Sequence, residues 1–170
     1  VTGTAEPGSL VKIYDNGVLV GQAYADANGN YSVTTSALAD GQHPLSVTST
    51  DAAGNESKAT GLGTWTIDTT APVAPTIVSV SDDTANPTDK NTSDNTLTVT
   101  GTGEPGSTIK IYDSSSGTPV LVGTTTVLAD GTWKVTTSVL ADGSHPLSVT
   151  STDTAGNVSA STSLGTWIID

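Results

Sequence analysis

Apolar and polar residues alternate with a period of two along most of the chain. Val11-Lys12-Ile13-Tyr14, Ile109-Lys110-Ile111-Tyr112 and Trp133-Lys134-Val135 each put every second side chain on one face, the pattern of half-buried β-strands. In the second half this alternation predicts seven strands, A to G. They fall on Val78 and Val80, Leu97 and Val99, Ile109 and Ile111, Val120 to Val127, Trp133 and Val135, Leu147 and Val149, and Trp167 and Ile169. The first half gives the same series from Val1 onward: Val11 and Ile13, Val18 to Tyr24, Tyr31 and Val33, Leu45 and Val47, Trp65 and Ile67.

The two halves are copies. VTGTAEPGS (Val1 to Ser9) returns as VTGTGEPGS (Val99 to Ser107), and ADGQHPLSVTSTDAAGN (Ala39 to Asn55) returns as ADGSHPLSVTSTDTAGN (Ala141 to Asn157). A period of about a hundred residues is the size of one small β-sandwich. The expected fold is all-β: two tandem seven-stranded immunoglobulin-like β-sandwiches over residues 1–70 and 71–170, arranged end to end. The first copy lacks strand A, which leaves a sheet edge open for a neighbouring chain or an upstream segment. The link Asp68-Thr-Thr-Ala-Pro72, followed by Val-Ala-Pro75, contains proline and no glycine and is read as stiff. Between strands C and D the copies differ, Asp15-Asn16-Gly17 being a tight hairpin signal and Asp113 to Pro119 a longer loop.

Composition narrows the function. The 170 residues include no Cys, so disulfides and thiolate metal sites are excluded. The net charge is −12, with five Lys and no Arg, and both copies are acidic. Nucleic acid and anionic membrane surfaces are therefore disfavoured as partners. No apolar run approaches a membrane span and no signal peptide opens the chain, so direct membrane insertion is not expected and a targeting signal would lie outside it. Near-identical tandem copies favour a spacer, adhesive or scaffolding role over an enzyme.

The acids collect at the ends of the expected sandwiches. Glu104 falls in the B–C loop, Asp130 in D–E, and Asp153 and Asn157 in F–G, while Asp68 closes the preceding copy. Crowded carboxylates are costly unless a cation compensates, and Ca²⁺ takes 6–8 oxygen ligands. These five residues are the candidate calcium ligands at the junction. Glu6, Asp26, Asp51 and Asn55 form the equivalent set in the first copy, incomplete because its upstream aspartate is missing. A second cluster, Asp82, Asp83, Asp89, Asp94, Asp113 and Asp142, belongs to the opposite end of the second copy. Solvated turn aspartates account for this second cluster equally simply, whereas calcium is the favoured reading at the junction.

Other residues invite plainer readings. His43 and His145 each precede proline and read as surface or capping groups, with no nucleophile and base pair nearby in sequence. Trp65, Trp133 and Trp167 alternate with Val and Ile and are expected in the core, not on a sugar platform.

Together GTAEPGS, LADGxHPLSVTSTDxAGN and IDTTAP resemble the bacterial Ig-like repeats of giant, type I-secreted adhesins and biofilm-associated proteins of Gram-negative bacteria. The resemblance covers nearly the whole chain. It implies a non-enzymatic extracellular stalk module at the cell surface, flanked by like repeats, with other domains meeting a host-cell or abiotic surface. It also implies Ca²⁺ at domain junctions, carried by position onto Asp68, Glu104 and Asp153. The alternatives are an Ig-like module that itself grips a ligand or glycan, and an accessory domain of a secreted enzyme.

Overall fold

The computed structural model of the chain describes residues 1–81 and 89–170, which form strands and turns without a helix. Two compact units divide the chain, Val1–Thr69 and Thr70–Asp170.

In the second unit the strands are β7 (Thr76–Ser81), β8 (Asn91–Thr92), β9 (Thr98–Thr102), β10 (Thr108–Asp113), β11 (Val120–Thr126), β12 (Thr132–Thr136), β13 (Gly143–Thr152) and β14 (Thr162–Ile169). They make two sheets, ordered β11-β10-β13-β14-β8 and β12-β9-β7. Between the sheets lies the core expected from the alternation: Leu97, Val99, Ile109, Ile111, Trp133, Val135, Leu147, Val149, Trp167 and Ile169. Residues one position away, such as Lys134 and Thr136, face solvent.

The expected strand A departs from its reading in two ways. A bulge between Ile77 and Ser79 shifts the register of β7 against β9, and an extra residue in one strand swaps the faces beyond it. Ile77 and Val80 therefore pack on the core, while Val78 is 70% exposed; the alternation of Val78 with Val80 is corrected. The chain also reaches the other sheet, where β8 pairs parallel with β14 through Asn91–Ile168 and Thr92–Ile169.

The strands of the first unit are β1 (Thr2–Thr4), β2 (Leu10–Asp15), β3 (Val18–Tyr24), β4 (Asn30–Ser32), β5 (Gly41–Thr50) and β6 (Thr60–Ile67). They form a sheet ordered β3-β2-β5-β6 and a two-stranded sheet β1-β4. This is the second unit's frame without counterparts of β7 and β8, as the missing strand A predicts. The β2–β3 hairpin turns through Asn16 and Gly17, both at positive φ (44° and 83°), which a tight turn matched to strand twist requires.

The buried cluster of this unit is smaller, Val11, Ile13 and Val33, with partly buried side chains such as Val47 and Leu62 packed against it. Trp65, expected inside, is 59% exposed where its counterpart Trp167 is 4% exposed. The correction has a simple cause: in the second unit β8 lies alongside the strand that carries Trp167, and no described strand does so in the first.

Candidate functional site

The loops that were expected to carry ligands are lashed together by backbone. In the second unit the Gly103 N–H donates to the Gly131 carbonyl at 2.9 Å and the Gly106 N–H to the Val127 carbonyl at 3.0 Å. The Ser151 hydroxyl donates to Ser107 Oγ at 2.7 Å, and Ser107 in turn donates to the Glu104 carbonyl at 2.7 Å. These bonds join the β9–β10 and β11–β12 loops to each other and to the end of β13 at one end of the sandwich.

The carboxylates there hold their own turns. Asp153 Oδ1 accepts from the Gly156 and Asn157 N–H groups at 2.7 and 2.9 Å, and its Oδ2 accepts from Asn157 Nδ2 at 2.8 Å. Asp51 and Asn55 repeat the arrangement in the first unit, with both bonds at 2.8 Å. Asp130 accepts from the Thr132 N–H and hydroxyl at 2.9 and 2.7 Å. Asp26 accepts from the Asn28 and Asn30 N–H groups, each at 2.8 Å. Donors aimed at a carboxylate favour its charged form. Hydrogen bonds from the Asn157 side chain hold Asp153 below the ordinary 3.8, those from the Asn55 side chain do so for Asp51, the Thr132 hydroxyl does so for Asp130, and the Asn30 N–H does so for Asp26.

Glu6, Glu104 and Asp68 are exposed, Asp68 in the first unit and Glu104 in the second. Among the described residues no group of three or more His, Asp or Glu side chains gathers to surround a metal ion. Asp82 and Asp83 lie outside the described residues. Of the rest of that second set, Asp89 accepts from the Asn91 N–H at 3.0 Å, Asp94 accepts from the Thr96 N–H at 2.8 Å, and Asp142 is exposed.

Asp113 has a different partner. Its Oδ2 lies 2.8 Å from His145 Nδ1, and His145 Nε2 lies 2.7 Å from the Ala141 carbonyl. The pair is buried. Burial pulls the Asp113 pKa up, but hydrogen bonds from His145 and Ser115 outweigh it, so the group lies below 3.8. Burial likewise lowers His145, but its bonds to Asp113 and to the Ala141 carbonyl together outweigh that and raise it above 6.5. His43 and Asp15 repeat the pair at 2.6 Å, with His43 Nε2 2.8 Å from the Ala39 carbonyl. The plain reading of the histidines missed this link between the β2–β3 or β10–β11 hairpin and the start of β5 or β13. A signal was available: Asp and His recur together in both copies although the longer loop moves them from 28 to 32 residues apart.

Nothing in either end assembles groups around a common reacting centre among the described residues; loop carboxylates, amides and imidazoles are engaged in fixing turns. The fold and these ends define tandem immunoglobulin-like frame modules. The chain belongs to the bacterial Ig-like domain family, whose model matches residues 70–170, and a second model, the bacterial Ig domain, matches residues 1–64.

Several solved structures are similar to the chain. The fibronectin(III)-like modules of Clostridium thermocellum CbhA align with 99% of this chain and 82% of their own, at 15% identity and a TM-score of 0.61. A tetra-tandem repeat from the extending region of a large adhesion protein aligns with 99% of this chain at 29% identity and a TM-score of 0.41. A 1.5-MDa bacterial ice-binding adhesin aligns with 99% at 31% identity and a TM-score of 0.44. The chain spans 44% and 55% of the length of those two chains. No curated protein matches it.

Proposed function

We propose that this pair of domains is a non-catalytic spacer in the extracellular part of a bacterial surface adhesin, one length of a stalk built from like repeats. The observation that carries the reading is the repeated use of loop side chains. Asp51–Asn55 and Asp153–Asn157, like Asp15–His43 and Asp113–His145, occupy the same places in both units and close their own loops. Repeating a frame with its loops pinned supports a spacer better than a binder, whose loops vary and reach outward. The sequence resemblance to adhesin repeats and membership of the bacterial Ig-like family support the same reading.

Calcium is the finer part of the proposal. Asp68, Glu104, Asp130, Asp153 and Asn157 would supply oxygen ligands and the ion would stiffen the rod. Asp130 and Asp153 each keep lone pairs beyond those their turns use, so their donor chemistry fits, but no cage of three acids is preformed among the described residues. Such a site would be weak and would fill only at extracellular calcium levels.

Small-angle scattering tests both parts, with the 170-residue chain and its Asp68→Asn variant titrated from chelator into millimolar calcium. Extension of the wild type alone supports a calcium-stiffened spacer. An extended particle that ignores calcium keeps the spacer and removes the ion. A particle collapsed in both conditions overturns the stalk.

A further inference from the structure

The stretch by which the chain leaves the first unit is tied back to the loop before β5. Asp40 Oδ1 accepts from the Thr69 N–H at 2.9 Å and from the Thr69 hydroxyl at 2.7 Å, across 29 residues of sequence. Thr69 is the last residue of the unit and lies just past the end of β6. One residue before Asp40, the Ala39 carbonyl is 2.8 Å from His43 Nε2, and His43 Nδ1 is 2.6 Å from Asp15 Oδ2. A polar chain therefore runs from the β2–β3 hairpin through the imidazole and the Ala39–Asp40 backbone to the residues that follow β6.

The imidazole is where this chain can be broken. Both of its partners only accept, so both bonds exist only while the ring carries two protons. Asp15, at the end of β2, is the charged group that faces it. β6 sets the uncharged Trp65 opposite it in register, and the Asp40 carboxylate is turned to Thr69. Neutral, the ring has one N–H to give, and its two claimants are unequal. In the second unit Asp113 also accepts from the Ser115 N–H and hydroxyl, whereas Asp15 Oδ1 is buried without a hydrogen-bond partner, which leaves His43 as the donor to that carboxylate among the described residues. Ala39 is exposed, so water can replace the imidazole at its carbonyl. Stripping a half-buried carboxylate of its donor costs more than returning an exposed carbonyl to water, and the N–H stays with Asp15. Nε2 then points a lone pair at the Ala39 carbonyl oxygen, and the two repel. Gly41 stands at φ 136°, with no described atom within 4 Å of where a Cβ would sit; it is the joint on which Ala39 and Asp40 swing away from β5.

We propose that Asp40 is a clasp on the chain's exit from the first unit and that a proton on His43 keeps it shut, so that the exit is pinned in mildly acidic surroundings and loses its pin when the imidazole becomes neutral. The hydrogen bond to Asp15, and after it the one to Ala39, hold the His43 pKa above 6.5. The clasp is therefore complete below 6.5 and opens as pH rises through the raised value. What changes is the freedom of Thr69 and the residues after it, while the strands of the unit stay paired. The proposal rests on neither calcium nor the spacer reading.

Nuclear magnetic resonance of the full 170-residue chain, kept in chelator and titrated from mildly acidic to alkaline buffer, tests both parts. The order parameter of the Thr69 amide should be about 0.85 at the acidic end, as for rigid backbone, and should drop below about 0.6 at the alkaline end. Its midpoint should coincide with that of the His43 ring resonances. Asp40 is exposed, so Asp40→Ala spares the core; it should leave Thr69 mobile at every pH while His43 still titrates. His43→Gln should abolish the pH response of Thr69, and His145→Gln should leave it as it is. A Thr69 amide as rigid in Asp40→Ala as in the wild type overturns the clasp. A Thr69 that stays rigid while His43 titrates, or a response that survives in His43→Gln, overturns the switch. If His43→Gln does not fold, the wild-type midpoints decide, and two separate midpoints overturn the switch equally.

Discussion

Asp113 and His145 form a buried pair in which the histidine must be an imidazolium. Its Nδ1 faces a carboxylate at 2.8 Å and its Nε2 a backbone carbonyl at 2.7 Å. Both partners only accept, so both ring nitrogens donate only when both carry protons. The pair ties the β10–β11 hairpin to the first residues of β13, and Asp15 with His43 does the same in the first unit.

This arrangement makes stability depend on pH in a fixed direction. The pKa of His145 is raised above 6.5 in the folded chain, so its contribution is complete below 6.5 and disappears as pH rises through the raised value. Asp113 is lowered from 3.8, so its contribution is complete above 3.8 and disappears as pH falls through the lowered value. The thermal midpoint should therefore fall on going from mildly acidic to alkaline buffer. A chain carrying His43→Gln and His145→Gln should lose most of that slope, and an unchanged slope in scanning calorimetry would refute the assignment.

Unfolding should proceed in two steps. The first unit's buried cluster is the small set Val11, Ile13 and Val33, while the second encloses a larger continuous core containing Trp133 and Trp167. Ile13 and Ile111 are each 0% exposed. Ile13→Ala should lower the cooler transition and Ile111→Ala the warmer, each by about 2–5 kcal/mol as expected for emptied core sites. Calorimetry of the two variants checks the assignment, and a single transition shifted by both would contradict it.

Close approach of backbone gives a paired test. A Cβ on Gly101 would run into the Thr76 carbonyl oxygen and the Trp133 ring, whereas one on Gly3 would meet the Tyr31 hydroxyl at 2.6 Å. The first obstacle is backbone and buried core; the second is the end of a half-exposed ring that can move. Gly101→Ala should cost about 3 kcal/mol and Gly3→Ala about 1 kcal/mol, the two ends of the range for overpacking. Urea denaturation separates them, and equal costs would mean that β7 does not pack on β9 as described.

The aspartate turns can be checked locally. Asp153 restrains the Gly156 and Asn157 amides, so Asp153→Ala should speed their hydrogen exchange. Asp153→Asn keeps an oxygen for those amides but loses the acceptor for Asn157 Nδ2, and should fall between. Exchange unaltered in both variants would show that the carboxylate does not hold the turn.

Strand positions were legible because every second residue along Val11–Ile13 or Ile109–Ile111 must choose between core and water, and the choice is written in side-chain polarity. Val78 was misread because a bulge adds a residue without leaving a mark in polarity. Trp65 was misread for another reason: its sequence surroundings match those of Trp167, and burial depends on a strand remote in sequence. The histidines escaped because His-Pro says nothing about an aspartate 28 or 32 residues earlier. Asp153 and Asp51 were read as loop acids, yet a side-chain list does not record that they are already bonded to their own loops.

The parallel pair of β8 with β14 has a mechanical consequence. Tension entering β8 from its N-terminal side and leaving β14 at its C-terminal side would slide the two strands past each other. The bonds from the Ile168 N–H to the Lys90 carbonyl at 2.8 Å and from the Asp170 N–H to the Thr92 carbonyl at 3.2 Å are then strained together, whereas a hairpin pulled from its open end opens one rung at a time. The first unit has no such pair among its described residues. Loaded in this way, the β8–β14 pair resists in shear rather than by peeling.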